Sequence, residues 1–223
     1  MKNKLIISFL ILLFPILAFS QRKYYEPEYY LGVTGGVTGS MVYFKPKVSQ
    51  TYLLGNTGGL IFRYIGAKHC GLQVEANYLQ RGWQEKDDLK GDLYARQLNY
   101  LEVPFMTHFN WGKSVRFHFN LGLEGCYLLG EKVVQNNTEN SDAVQHNLPL
   151  HNKFDYGFCG GPGLTFNIKG QVIQLDARAF YSVTNIFSNA PKDHQFNMSN
   201  NMNAAVTLGW LMQFKNRKLK VEN

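Results

Sequence analysis

The chain has 223 residues, a formal net charge of +7 and three cysteines, Cys70, Cys126 and Cys159. That length suits one domain, and three widely spaced cysteines exclude a disulfide scaffold and a zinc knuckle. Beyond the first 20 residues no segment approaches the roughly 20 consecutive apolar residues of a membrane-spanning helix.

Residues 1–20 read as a cleaved signal peptide. Lys2 and Lys4 form a basic start, Leu5 to Ala18 is an almost unbroken apolar run, and Ala18-Phe19-Ser20 supplies the small residues a signal peptidase reads. Cleavage is expected before Gln21; a retained anchor is the plain alternative. No cysteine stands directly after that point, which disfavours a lipid anchor. The mature chain keeps 203 residues and a net charge of +5 once Lys2 and Lys4 are gone. An exported chain without a second apolar helix has one main route into a membrane. A closed β-barrel pairs every backbone N–H and C=O within itself.

Residues 21–28 form a short N-terminal periplasmic segment, and 29–214 then alternate apolar and polar residues in eight stretches. Segment 29–44 sets Leu31, Val33, Val37, Met41 and Tyr43 against Gly32, Thr34, Gly36, Thr38 and Ser40. Segment 58–65 sets Leu60, Phe62 and Tyr64 against Arg63. The clearest case, 70–82, sets Leu72, Val74, Ala76 and Tyr78 against Gln73, Glu75, Asn77 and Arg81. Segment 97–111 sets Leu101, Val103, Phe105, Phe109 and Trp111 against Tyr100, Glu102, His108 and Asn110. Segment 116–129 sets Phe117, Phe119, Leu121, Leu123 and Tyr127 against Arg116, His118, Asn120 and Glu124. Segments 155–167, 172–184 and 202–214 continue the pattern, with Asp155, Asp176 and Arg178 on the polar face. Successive strand side chains point to opposite sides, so each stretch presents one apolar and one polar surface. Most are long enough to cross the hydrocarbon layer at a tilt.

The joins sort by parity. Those near 45–57, 83–96, 130–154 and 185–201 are long; those at Gly66–His69, Gly112–Lys113 and Lys169–Gln171 are short. An eight-stranded antiparallel up-and-down transmembrane β-barrel with its N-terminus in the periplasm has this arrangement, with long outer loops and short periplasmic turns. A soluble barrel or sandwich also alternates. Against it stand aromatics near strand ends (Tyr29, Tyr43, Trp111, Tyr127, Tyr181, Phe214), where bilayer interfaces place them. The polar face also mixes Gly, Asn, Gln and both signs of charge.

Three runs resemble the PorT-like outer-membrane β-barrel family of Bacteroidota: Tyr100-Leu101-Glu102-Val103-Pro104, Asp155-Tyr156-Gly157-Phe158 through Gly163, and Arg178-Ala179-Phe180-Tyr181 with Thr184-Asn185-Ile186. The resemblance spans essentially the whole mature chain and implies an eight-stranded barrel in the outer membrane. Some members of that family serve a secretion system, but the segment Gln21 to Tyr30 departs from theirs.

Pro104 predicts a local bulge, because proline removes a ladder donor and a closed barrel has no edge to hide it. Gly160, Gly161, Pro162 and Gly163 predict a second irregular stretch, where close packing or strong coiling needs small residues.

The interior of eight strands is only wide enough for side chains. Its inferred charges are Arg63, Arg81, Arg116 and Arg178 with Glu75, Glu102, Glu124, Asp155 and Asp176, beside His108 and His118. Buried charges are costly unless paired, so this near-balance predicts a salt-bridge network plugging the lumen; the alternative is a narrow ion or proton path. His151, Asp155, Asp193 and His194 show no nucleophile–base–acid spacing, so no catalytic set is assigned. His118 and Glu124 are too far apart on one strand for a metal site, no phosphate loop is present, and no cofactor is expected. Cys126 and Cys159 face inward on adjacent strands and are a candidate contact pair, testable against the 7 Å Cα limit for a disulfide.

The positive excess lies in the predicted periplasmic turns and the tail 215–223: Lys68, Lys113, Lys169, Lys215, Arg217, Lys218 and Lys220. A solvated rim that fixes topology is the plain reading, and anionic lipid or cell wall a functional one. The partners expected are outer-membrane lipids and an envelope or secretion protein, not nucleic acid, with the barrel a monomer. Loop 130–154, polar and amide-rich, is expected to be a mobile contact segment. The chain therefore reads as a non-enzymatic barrel presenting its loops outward, or as an accessory of export or envelope assembly.

Overall fold

The computed structural model describes residues 26–87, 92–135, 144–168, 170–187 and 196–214. They form eight strands: β1 (Glu28–Lys45), β2 (Leu53–Ala67), β3 (Cys70–Asp87), β4 (Asp92–Gly112), β5 (Val115–Gln135), β6 (Phe154–Ile168), β7 (Gln171–Asn185) and β8 (Met198–Phe214). One helical turn, α1 (Val144–Asn147), precedes β6. The sheet is a closed barrel in which each strand pairs antiparallel with its sequence neighbours and β8 closes on β1. No strand is left as an edge along the body of the ring, so the backbone polar groups are paired without water.

The register fixes the shape. Leu31 pairs with Phe62, Phe62 with Val74, Val74 with Phe105, and Phe105 with Leu123. Leu123 pairs with Phe158, Phe158 with Tyr181, Tyr181 with Met202, and Met202 with Met41. One circuit returns to β1 ten residues beyond its start, and such a stagger tilts strands by about 40°. Every residue on that path is apolar and faces outward. Phe105, Leu123 and Phe158 are 56%, 60% and 61% exposed, while Glu75 and Glu102 are buried. From Phe117 to Tyr127 the outward apolar run is about 33 Å along the strand, or roughly 25 Å in height at that tilt, which matches the apolar band of membrane barrels. In water such a belt would be an aggregation surface; in hydrocarbon it needs no partner. No described helix is long and apolar enough to cross a membrane.

Exposed and half-buried aromatics gather at both rims of the belt. Tyr29 packs on Tyr64 at 5.1 Å and Trp111 on Phe117 at 6.2 Å at the end carrying the termini; Tyr127 packs on Phe154 at 4.9 Å at the loop end.

The ladders correct the bulge expected at Pro104 and show the irregular stretch expected at Gly160 to Gly163 as a lapse in pairing. Neither Pro104 nor Pro162 sits at a bulge. Beside Pro104 the β3–β4 pairing lapses between Val74↔Phe105 and Asn77↔Glu102, then resumes in the same register. Beside Pro162 the β6–β7 pairing lapses between Gly160↔Ala179 and Gly163↔Asp176 and resumes likewise. Each proline keeps its pairing with β5, to Glu124 and Phe119 respectively. A missing N–H removes bonds on one side only, so the sheet tolerates it without inserting a residue. The bulge in this region lies instead at Leu129, where Asn99 opposes Gly130 but Tyr100 opposes Leu128.

The predicted loop 83–96 is also mostly strand, because β3 runs to Asp87 and β4 starts at Asp92. With β5 these strands continue past the aromatic rim; Tyr127 to Gln135 spans about 26 Å along the chain. The expected signal peptide, residues 21–25 and the tail 215–223 lie outside the described residues.

Candidate functional site

The interior is layered along the barrel axis. At the termini end Tyr30, Ile61, Ile65, Val172 and Leu211 form a buried apolar cluster. At the loop end a larger cluster joins Val42, Phe44, Leu79, Trp83, Tyr94, Leu98, Tyr100, Cys126, Ile186, Phe187 and Phe196. Between them lie the charged side chains, interrupted by a small cluster of Met106, Cys159 and Phe180.

The charges nearest the termini end are held by amides. Arg63 Nε and Nη2 donate to Gln73 Oε1 at 2.9 and 2.7 Å, and Nη2 also donates to Gln174 Oε1. Gln73 Nε2 donates to Glu75 Oε1 at 2.7 Å, and Arg178 Nη2 reaches that oxygen at 2.6 Å. Asn77 Nδ2 links Glu75 to Glu102 at 2.8 and 3.0 Å. Farther out, Arg81 Nη2 lies 2.5 Å from Asp155 Oδ2, and Nη1 lies 3.8 Å from Glu124 Oε1. The same guanidinium stacks over Tyr100 at 4.1 Å and Phe180 at 4.8 Å. Ser182 and Asn201 supply further donors to Asp155. Ion pairs this buried are held together by the amides and hydroxyls that bond many of the remaining polar atoms, although Glu124 Oε2 and Arg81 Nε have no hydrogen-bond partner among the described residues.

One constellation has the parts of a hydrolytic site. Asp176 Oδ1 is 2.5 Å from His118 Nε2, and Thr165 Oγ1 is 2.9 Å from His118 Nδ1. His108 lies beside them, its Nδ1 2.7 Å from Asn120 Oδ1 and its ring centre 5.0 Å from that of His118. A working acid–imidazole–hydroxyl set needs space for a substrate against the hydroxyl. All three side chains are buried here, and a single Cβ added at Gly163 would fall 2.2 Å from His118 Nε2. The arrangement is packed shut, and Gly163 is glycine because the imidazole occupies the space of a side chain.

Arg116 stands apart from the main network. It is partly exposed at the termini mouth, with Nη1 3.3 Å from Glu28 Oε2, an oxygen that also accepts from the Tyr30 hydroxyl at 2.5 Å. Lys68 and Lys113 are exposed at the turns of that end; Lys169, Lys215, Arg217, Lys218 and Lys220 lie outside the described residues. Asp155 belongs to Arg81. The His151 backbone N–H donates to Ile186 O at 3.0 Å, and Asp193 and His194 lie outside the described residues.

The expected contact between Cys126 and Cys159 is not made. Cys126 pairs with Asp155 and Cys159 with Gly122, four rungs apart, or about 13 Å along the strands. Both are buried, but in different clusters, and all three cysteines are free thiols.

The loop-end closure was not visible in the alternation. Arg96 is its hub. Its Nε lies 2.6 Å from Glu131 Oε2, and Nη1 donates to Leu148 O at 2.8 Å. His146 of α1 stacks on Tyr94 at 3.5 Å and meets Glu85 Oε2 at 3.1 Å, while Leu148 and Leu150 pack on the aromatic cluster. Residues 146–150 of loop 130–154 therefore pack onto the mouth, while residues 136–143 of the same loop lie outside the described residues. A signal existed in the sequence: Met41-Val42-Tyr43-Phe44 is apolar on both faces, which marks inward positions where polarity stops at the loop end, as Leu60-Ile61-Phe62 does at the termini end.

Residues 19–188 match the family described as outer membrane protein beta-barrel domain. In three dimensions the chain is similar to the outer membrane protein OprG from Pseudomonas aeruginosa, at 13% identity and TM-score 0.51, covering 84% of this chain and 96% of that one. It is also similar to Ail of Yersinia pestis, at 15% identity and TM-score 0.42, covering 83% and 99%. The Neisserial surface protein A (NspA) aligns at 11% identity and TM-score 0.42, covering 85% and 100%. No curated protein matches the sequence.

Proposed function

The chain belongs to the outer membrane protein beta-barrel domain family, and from that premise we propose that it is a plugged barrel that neither conducts nor catalyses and acts through the surface at its loop end. The observation that carries this reading is the pair of buried apolar clusters at the two ends of the charged layer. An ion entering from either side must first cross an apolar layer without its hydration shell, and beyond it Arg81, Arg178 and His118 are already engaged by buried carboxylates. What the loop end offers a partner is the outer extension of β3–β5 with the loops folded on it. There Tyr52, Val133 and Val134 are exposed.

On this reading the protein is exported after cleavage before Gln21, sits as a monomer among outer-membrane lipids and engages no nucleic acid. Its kinship to the PorT-like branch and to Bacteroidota belongs to the same proposal. Purified protein in planar bilayers should give no steady conductance, whereas replacing residues 144–150 with a short Gly-Ser link should abolish binding of whatever external ligand a screen identifies. Steady channels in the unaltered protein would refute the plug.

The exposed Lys68 and Lys113 at the opposite end favour a second reading, an accessory of export or envelope assembly. Affinity capture from native membranes separates the two: a periplasmic partner lost in a Lys68→Glu/Lys113→Glu variant supports the second.

A further inference from the structure

At the termini end the barrel opens into a cavity of about 400 Å³ that the apolar cluster closes from above. Tyr30 and Val172 of that cluster line its closed end. Its wall carries Arg116 and Lys113 with Glu28, and Asn167 stands at its rim. We propose that this cavity is a binding site for a small carboxylate, specifically the free C-terminal carboxylate of a short peptide with small apolar side chains.

Three features select that chemistry. First, Arg116 is held in place but not saturated. Nε donates to Lys113 O at 3.3 Å and Nη1 to Glu28 at 3.3 Å, while Nη2 has no partner among the described residues. A guanidinium fixed on one side presents its remaining N–H groups as a planar fork, the geometry that carboxylates accept. Second, among the described lining residues the cations Arg116 and Lys113 stand with the one carboxylate of Glu28, a lining that suits a monoanion better than a dianionic phosphate. Third, the volume is at the low end for small-ligand sites and fits about two residues of peptide, with Tyr30 and Val172 offering apolar contact beyond the charged wall. The Asn167 amide is positioned by its own bonds, N–H to Ser114 O at 2.9 Å and Nδ2 to Lys113 O at 3.2 Å, so the rim is preformed. Preformed donors lose little freedom when a ligand arrives.

The test uses the full mature protein in lipid nanodiscs, isotopically labelled, titrated with acetyl-Ala-Ala as its free acid, its C-terminal amide, and ethyl phosphate. The free acid should shift the amide signals of Lys113, Ser114, Arg116 and Asn167 in a saturable way. The amide and the phosphate should bind at least about tenfold more weakly, as expected when a charge-assisted bond is lost or mismatched. Arg116→Gln should lower the affinity for the acid by about tenfold, and Arg116→Lys by less, with unchanged strand content by circular dichroism. Lys113→Gln, on an exposed turn, gives a second variant whose folding is not in question and should weaken binding of the acid several-fold. Equal binding of acid and amide, tighter binding of the phosphate, or signals at these positions that do not move would each overturn the proposal.

Discussion

Arg81 on β3 and Asp155 on β6 meet across the lumen at 2.5 Å, both side chains almost fully buried. This contact ties opposite walls of the barrel, so its loss should be felt by the whole fold. Arg81→Met leaves Asp155 and Glu124 facing each other without a cation, and Asp155→Leu leaves the guanidinium without its nearest partner. Each is expected to destabilise the barrel by about 3–5 kcal/mol. The double variant should recover part of that loss, because it removes Asp155 together with the guanidinium and leaves only Glu124 without its cation. Urea unfolding from lipid vesicles, read by tryptophan fluorescence, gives all three values; additive losses would show that the pair is not coupled.

The outward face makes an opposite demand. Phe105→Lys places an ammonium in the middle of the apolar belt, where about 2–4 kcal/mol of stability is lost. Val134→Lys, on the extension past the aromatic rim, should change stability by no more than about 0.5 kcal/mol. The same unfolding assay checks both, and the contrast between them locates the bilayer.

The closure of the loop end rests on few polar contacts. Arg96→Ala removes the bonds to Glu131 and Leu148, and adding His146→Ala removes the stack on Tyr94. With Trp111 and Trp210 replaced by Phe, Trp83 reports alone on the mouth. The Arg96→Ala/His146→Ala variant is expected to red-shift its emission and expose it to acrylamide, while strand content stays constant. An unchanged spectrum would mean that the apolar packing of Leu148 and Leu150 suffices.

Thiol chemistry should follow burial. In the folded protein a maleimide is expected to modify Cys70 alone, with Cys126 and Cys159 reacting only after unfolding. Intact-mass measurement distinguishes one adduct from three. Under oxidising conditions no loss of two protons should be seen within the folded monomer, since Cys126 and Cys159 are too far apart to bridge.

The strand pattern was readable because alternation is a local signal: Gln73, Glu75 and Asn77 turn inward and Leu72 and Val74 outward whatever surrounds them. The partners of the charges were not readable, since Arg81–Asp155 depends on three successive registers between β3 and β6. The same limit explains Cys126 and Cys159: their inward direction follows from parity, but a register that offsets them by four rungs follows from the whole ladder. Pro104 misled for a different reason. The rule that proline marks a bulge assumes that both sides of the strand need bonds at that residue, and only the β3 side does. The loop-end cluster escaped because inward Val42, Phe44 and Trp83 break the polar-inside rule that holds farther down.

The most direct test of the account is the environment of residue 123, next to buried Glu124 on β5. With the native cysteines replaced by serine, Leu123→Cys carries a spin label in protein reconstituted into vesicles. The barrel described here places that label in hydrocarbon, so dissolved oxygen should relax it strongly and a water-soluble nickel chelate hardly at all. Strong relaxation by the nickel chelate with weak relaxation by oxygen would place this face in water and contradict the membrane-spanning barrel.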